Sequence, residues 1–190
     1  LKNAGCKTGI LDADVYGPSV PQLTGVRGQV QKVGEKIQPL DFNGIPLMSI
    51  GFMVPPDQAV IWRGPMLHSA IKTFVQGTDW GDLDYLIIDM PPGTGDVQMG
   101  LARMLPRTDL VIVTTPAVSA QKVAIRAADM ARRSFLRVAG VIENMTSFTC
   151  EHGNTYELFG QGGGQALASE IGSPLLGNIP IEAAVAHGSD

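Results

Sequence analysis

The chain is short of the residues that would mark several protein classes. It has only two cysteines, Cys6 and Cys150, too few for a disulfide framework and in keeping with a reducing cytosol. Charged residues make up 17% of the 190 and sum to -4, so no basic footprint exists for nucleic acid and no such partner is expected. No apolar run is long enough to cross a bilayer and no signal peptide is visible, which predicts a cytoplasmic protein without a membrane partner. Low-complexity tracts, internal repeats and long charge runs are absent as well. The first residue is Leu1 and not Met; Lys2 to Cys6 reads as the end of a helix capped near Gly5, and Ile181 to Ala186 as the start of a helix or loop. The chain is therefore read as a segment of a longer protein, cut at both ends.

What is present is a 44% hydrophobic chain, suited to one globular domain with a sizeable core. Short apolar runs recur, each closed by an acid, Gly or Pro: Thr8 to Leu11, Ile45 to Ile50, Tyr85 to Ile88, Leu110 to Val113, Val138 to Ile142 and Pro174 to Leu176. Unbroken runs, as opposed to alternating ones, indicate strands buried on both faces of a parallel sheet. Helical spacing separates them, at Met66 to Val75, Val97 to Leu105, Ser119 to Phe135 and Gly164 to Ile171. The third is the clearest, with Val123, Ala124, Ala127, Ala128, Ala131 and Phe135 as an apolar stripe. Alternation of this kind predicts an α/β, doubly wound, mostly parallel sheet sandwiched by helices. Val30 to Asn43 breaks the pattern and reads as a hairpin-like excursion.

Ligands of such sheets sit beyond the carboxyl ends of the strands. The polar clusters fall there: Asp12 and Asp14, Asp89, Thr114-Thr115-Pro116, and Glu143-Asn144. A hydrophobic strand ending in Asp89 suits an acid that holds magnesium through water, though alone it equally suits a helix N-cap. Met90 to Asp96 strengthens the first reading, because two prolines stiffen the strand exit while Gly93 and Gly95 permit close backbone approach to an anion. Asp12 and Asp14, one residue apart, supply one carboxylate for the magnesium side and one to orient water, or else belong to a simple turn ending at Gly17-Pro18.

Longer stretches carry a resemblance. Leu11 to Ser19, Ile61 to Met66, Asp84 to Asp96, Glu143-Asn144-Met145 and Phe159 to Gly164 resemble, in order, the Mrp/ApbC-type iron–sulfur cluster carriers within the MinD/ParA-like deviant-Walker P-loop ATPases. The resemblance runs almost end to end and implies a single P-loop NTPase-like domain over 1–190, lacking its first strand and phosphate loop. It implies an ATPase that binds and hydrolyses ATP with Mg²⁺ and hands iron–sulfur clusters to apoproteins. Asp14 is similar to the acid that polarises the hydrolytic water, Asp12 to its magnesium-side neighbour and Asp89 to the acid supporting Mg²⁺. Gly93 and Thr94 match the second switch loop, Asn144 the asparagine that recognises adenine, and Pro180 and Ile181 the loop covering the base. Family members are similar in acting as homodimers, with recipient apoproteins and an assembly scaffold as further partners.

Two departures stand out. No Gly-rich loop with two lysines and a Ser/Thr is present, and Gly162-Gly163-Gly164 lacks the Lys-Ser/Thr pair and reads as backbone packing. This segment alone is therefore expected to be inactive. The resemblance also implies Cys-x-x-Cys, four thiolates from two subunits holding a bridging [4Fe–4S] cluster. Here Cys150-Glu151-His152-Gly153 keeps the first cysteine and has Gly153 at the second. His152 either completes the ligand set, as imidazoles do in Rieske-type centres, or is a solvated loop residue. Arg63 reads equally as a group reaching the dimer interface or a phosphate and as a structural ion pair; His68 reads as a surface or packing residue, His187 is uninformative, and Cys6 reads as structural. A MinD/ParA-like positioning ATPase and a non-catalytic scaffold without cluster are the alternatives.

Overall fold

In the computed structural model, residues 1–14, 16–53, 64–93 and 96–187 are described. They form two compact units, one from Leu1–Pro92 with Asp96–Gly100 and the other chiefly from Leu101–Gly188.

The first unit opens on a 3-10 turn, Lys2–Ala4, that stops at Gly5 in a left-handed conformation, as the capping pattern predicts. Its sheet runs β4 (Leu40–Phe42), β5 (Ile45–Ser49), β1 (Thr8–Asp12), β6 (Tyr85–Asp89). β5, β1 and β6 are parallel, whereas β4 lies antiparallel on β5 across the Asn43-Gly44 turn. β2 (Gln31–Val33) and β3 (Lys36–Gln38) pair antiparallel, so the expected excursion is a hairpin. The short α1 (Val20–Thr24) follows β1; α2 (Gly64–Gln76) precedes β6, and α3 (Asp96–Met104) comes after it. Val20, Leu47 and Phe52 form a buried cluster with Ile10 and Leu40 against it. That cluster fastens α1 and the 3-10 turn Ile50–Phe52 to the sheet.

In the second unit β10 (Leu175–Ile181), β8 (Arg137–Thr149) and β7 (Asp109–Thr114) are parallel neighbours, and β9 (Thr155–Tyr156) pairs antiparallel with the far end of β8. α4 (Val118–Arg133) and α5 (Gly163–Glu170) cover one face through Ile112, Ala124, Ala128, Val141, Leu167 and Ile171. α6 (Ala183–His187) closes the described chain.

The strand and helix assignments therefore hold, and the fold is a mixed α/β one with mostly parallel sheets flanked by helices. Burial departs from expectation in two places. β1 is buried on both faces, but β6 and β7 expose alternate apolar residues: Tyr85, Ile87, Val111 and Val113. The stripe on α4 is narrower than its sequence suggests. Ala124, Ala128 and Ala131 are buried, Val123 is half exposed, and the helix ends before Phe135, which is 93% exposed.

Candidate functional site

β1 and β6 end together. Asp12 and Asp89 are register partners on adjacent parallel strands, and the Ala13 amide donates to the Asp89 carbonyl at 2.8 Å. Asp14 follows within two residues, so the expected carboxylates from separate strands gather at one edge.

Their roles diverge with their burial. Asp12 is completely buried, and both its oxygens are engaged. Oδ1 accepts from the Asp14 amide at 3.1 Å; Oδ2 accepts from the Ser49 hydroxyl at 2.9 Å and the Val20 amide at 3.3 Å. Burial pushes its carboxyl above the usual range, against the lowering effect of these three donors and with the Asp89 charge adding to the rise. Asp14 Oδ1 accepts from the Tyr16 and Gly17 amides, both at 3.1 Å, which folds the following turn around it. Asp89 is solvent-accessible, yet partial burial first and the Asp14 charge second raise its pKa.

A magnesium ion fits this donor set in one way. Asp89 and Asp14 repel each other, and a cation held through water at Asp89 would relieve that. Asp12 does not fit as a direct ligand, because its oxygens already serve backbone amides and a hydroxyl. Among the described residues no group of three or more His, Cys, Asp or Glu side chains is placed to hold a metal ion, so the fit is to a cation that keeps its own water and not to an all-protein site.

The second unit carries the other expected residues. Asn144 lies within β8, opposite Ile179 of β10 and one residue past the last pair with β7, and not beyond the strand as its apolar run suggested, because β8 continues to Thr149. Its Oδ1 accepts from the Met145 amide at 2.9 Å, and Met145 adopts a left-handed φ of 57°. Pro180 and Ile181 are the last two residues of β10, on the strand adjoining Asn144; they were expected in a loop, but the ladder continues to Ile181 opposite Phe148. Gly93 has a left-handed φ of 93°, the conformation for which a glycine is needed. Thr94, Gly95 and Arg63 lie outside the described residues.

Glu143 and Ser49 are the polar residues whose roles sequence reading missed. Glu143 is buried, opposite Thr114 in register, and accepts from the Gly164 amide at the start of α5. A side chain at Gly164 would stand 2.6 Å from the Glu143 Cβ and one at Gly163 would meet the Pro116 carbonyl, so these two glycines are backbone packing, as expected, while Gly162 is needed for its left-handed φ of 69°. Ser49 had a usable signal: a hydroxyl inside a run read as buried needs a partner, and the facing strand end offers Asp12.

Cys150 is half-buried at the start of the β8–β9 turn. The Gly153 amide donates to the Cys150 carbonyl at 2.9 Å, and Gly153 has a φ of 80°. The position where a second cysteine was expected is thus the left-handed corner of a tight hairpin. His152 is exposed, with Nε2 3.8 Å from the neighbouring Glu151 carboxylate.

The chain is similar to known proteins along its whole length. The model of the ParA group described as NUBPL iron-transfer P-loop NTPase matches residues 1–190. A protein from Synechocystis named iron-sulfur cluster carrier protein is 43% identical over 197 residues, covering 100% of this chain and 56% of its own. One so named from Aquifex aeolicus is 46% identical over 194 residues, covering 100% and 53%. The chain thus spans about half the length of the curated relatives it matches. Among solved structures, a nucleotide-binding protein from Archaeoglobus fulgidus in complex with ADP superposes with a TM-score of 0.84 at 35% identity, over 99% of this chain and 74% of that one. The septum site-determining protein MinD from Pyrococcus horikoshii, complexed with Mg-ADP, gives 0.63 at 19% identity over 98% and 74%, a likeness of fold alone. With a family model matched along its full extent and its acids gathered at one sheet edge, the chain belongs to the NUBPL/ParA-type iron-transfer P-loop NTPases.

Proposed function

We propose that these residues are the central part of one P-loop NTPase-like domain in an ATP-driven iron–sulfur cluster carrier. The full-length protein binds and hydrolyses ATP, works as a homodimer, and delivers clusters received from an assembly scaffold to recipient apoproteins. The observation that carries the reading is the meeting of Asp12, Asp14 and Asp89 at the adjoining ends of β1 and β6. Relatives named as iron–sulfur cluster carriers and an ADP-bound structural neighbour support it.

Each residue has a part. Asp14, held by its turn, orients the attacking water and receives its proton. Asp89 holds magnesium through water, and Asp12 acts on the same side through its charge and its grip on the loop. Magnesium, when bound, neutralises the charge that builds on the β- and γ-phosphate oxygens. Gly93 and Thr94 approach the terminal phosphate through their backbone. Asn144 reads adenine with an amide that both donates and accepts, and Pro180 and Ile181 border the base. The cluster is cargo; Cys150 supplies one thiolate per subunit, and the turn at Gly153 makes a scaffold without cluster the reading to be eliminated.

Asp14→Ala in the full-length protein tests the central assignment. Nucleotide affinity should persist while kcat falls by about 10²- to 10⁴-fold, the range for removal of a positioned acid–base group. Loss of binding with the fold intact would remove Asp14 from that role. Iron analysis after anaerobic reconstitution separates carrier from scaffold: a full-length protein that takes up no iron is not a carrier.

A further inference from the structure

We infer that Ser49 and Asp12 are positioning residues for Asp14, a buried clamp that sets the loop from which Asp14 acts. This rests on the reading that Asp14 orients the hydrolytic water.

The clamp is built from the ends of two strands. Asp12 and Ser49 are register partners on β1 and β5, and both are fully buried. The chain leaves β1 at Asp12 and rejoins the packed core at Val20, the first residue of α1. One carboxylate holds both ends of that loop, taking the Asp14 amide on Oδ1 and the Val20 amide on Oδ2. The Ser49 hydroxyl donates to Oδ2 and accepts from the Gly51 amide at 3.1 Å, which ties the clamp to the 3-10 turn after β5. A Cβ on Gly51 would lie 3.1 Å from Pro21 and 3.6 Å from Pro18, so that turn also packs against the loop and α1.

Asp14 uses one oxygen for its own turn. Oδ1 accepts from Tyr16 and Gly17, whereas Oδ2 accepts no hydrogen bond among the described residues and is the oxygen left to face water. Where Oδ2 points is therefore decided by the loop backbone, and the backbone by Asp12 and Ser49. A buried carboxylate is tolerated only while hydrogen-bonded, so removal of one donor disturbs the other two.

The experiment uses the full-length protein with Ser49→Ala, Ser49→Thr and Asp14→Ala side by side. A reacting group displaced by about 1 Å loses on the order of 100-fold in rate, so Ser49→Ala, which loosens the clamp without removing it, should lower kcat by about tenfold or more. The Kd for ATP should stay within about threefold, since uniform binding is not what the clamp serves. Amide exchange at Asp14 and Val20 in the nucleotide-free protein should quicken by about tenfold while Leu11 in β1 is unchanged, the mark of local opening. Ser49→Thr keeps the hydroxyl and should restore both the exchange protection and kcat. Should Ser49→Ala fail to fold, Asp12→Asn serves instead; it keeps Oδ1 for Asp14 but faces an N–H toward Val20, and the same loop exchange and kcat losses are expected. If Asp14→Ala is slow while the clamp variants keep wild-type kcat or loop exchange, the inference is overturned and the hydrolysis reading survives. If Asp14→Ala itself hydrolyses ATP normally, both fall.

Discussion

Glu143→Ala asks whether a buried carboxylate is what fastens α5 to the sheet. Glu143 is 4% exposed, and its Oε2 accepts from the Gly164 amide in the first turn of α5. The N-cap of that helix is Gly162, which has no side chain to offer the first-turn amides. An acid at a helix N-terminus satisfies an orphan donor and complements the dipole together. Truncation to Ala leaves the buried Gly164 amide unpaired, a loss of about 1–3 kcal/mol. Lost caps cost about 1 kcal/mol in other helices. These overlap and are not summed; about 2 kcal/mol is the expected loss. Glu143→Gln keeps a carbonyl acceptor and gives up only the charge, for about 0.5–1 kcal/mol. In a chain of this size each kcal/mol moves Tm by about 2–4 °C, so Ala should lower it by about 4–8 °C and Gln by about 1–4 °C. Thermal and urea unfolding followed by circular dichroism give both values, and exchange at Gly164 reports the amide directly. A Glu143→Ala protein melting with the parent, or a Gln variant as weak as Ala, would refute the capping argument.

Three further outcomes are expected. Phe135 sits just past α4 with a φ of 58° and 93% exposure, so it carries left-handed strain with no packing in return. Phe135→Asn should therefore stabilise by about 0.5–1 kcal/mol while Phe135→Ala, still strained, gains less, as read from urea midpoints. Asp12 and Asp89 both titrate above their ordinary value of 3.8, so the native state holds more protons than the unfolded chain between that value and the raised ones. Their contribution to stability is full below pH 3.8 and is lost as pH rises through the raised values; Asp89→Asn should flatten that slope in urea midpoints taken across the acid range. Gly153→Cys should increase the iron retained by reconstituted full-length protein and Cys150→Ala should abolish it. Because nothing lies within 4 Å of a Cβ at Gly153, the added thiol fits and costs only the left-handed backbone, about 1 kcal/mol.

The strands were legible because buried parallel strands are written as unbroken apolar runs; the runs before Asp12 and Asp89 close where β1 and β6 end, whereas β8 and β10 continue to Thr149 and Ile181, well past the runs that marked them. The acids were legible for the same reason, since Asp12 and Asp89 are where those runs stop. What the chain hid was how each end is held. Ser49 looks like an interruption in an apolar run until β5 is placed beside β1. Glu143 looks like any strand-end acid until α5 arrives on it from 21 residues away. Pro180 and Ile181 were expected in a loop from the resemblance alone, yet β10 carries its proline near its end on an edge strand, where one missing donor is tolerated. The open faces of β6 and β7 were unreadable, because an apolar run states that a strand can be buried on both sides and not what covers it.

Asp14 and Asn144 each stand beside a buried acid that is bonded into the fold. Asp14 follows Asp12, which is spent on amides and Ser49; Asn144 follows Glu143, which is spent on the first turn of α5. Asp12 is so spent at the end of β1 and Glu143 midway along β8, and each is committed to the fold and not to solvent. That division follows from burial: a carboxylate with every oxygen bonded inside the fold is a poor ligand but a firm anchor. Cys150 has no buried acid beside it among the described residues; it is placed by the turn its carbonyl closes with the Gly153 amide and by its own amide, which donates to the Asn154 carbonyl at 3.0 Å. Asp14 and Asn144 thus each stand next to a residue bonded into its own sheet, whereas Cys150 sits on a short hairpin.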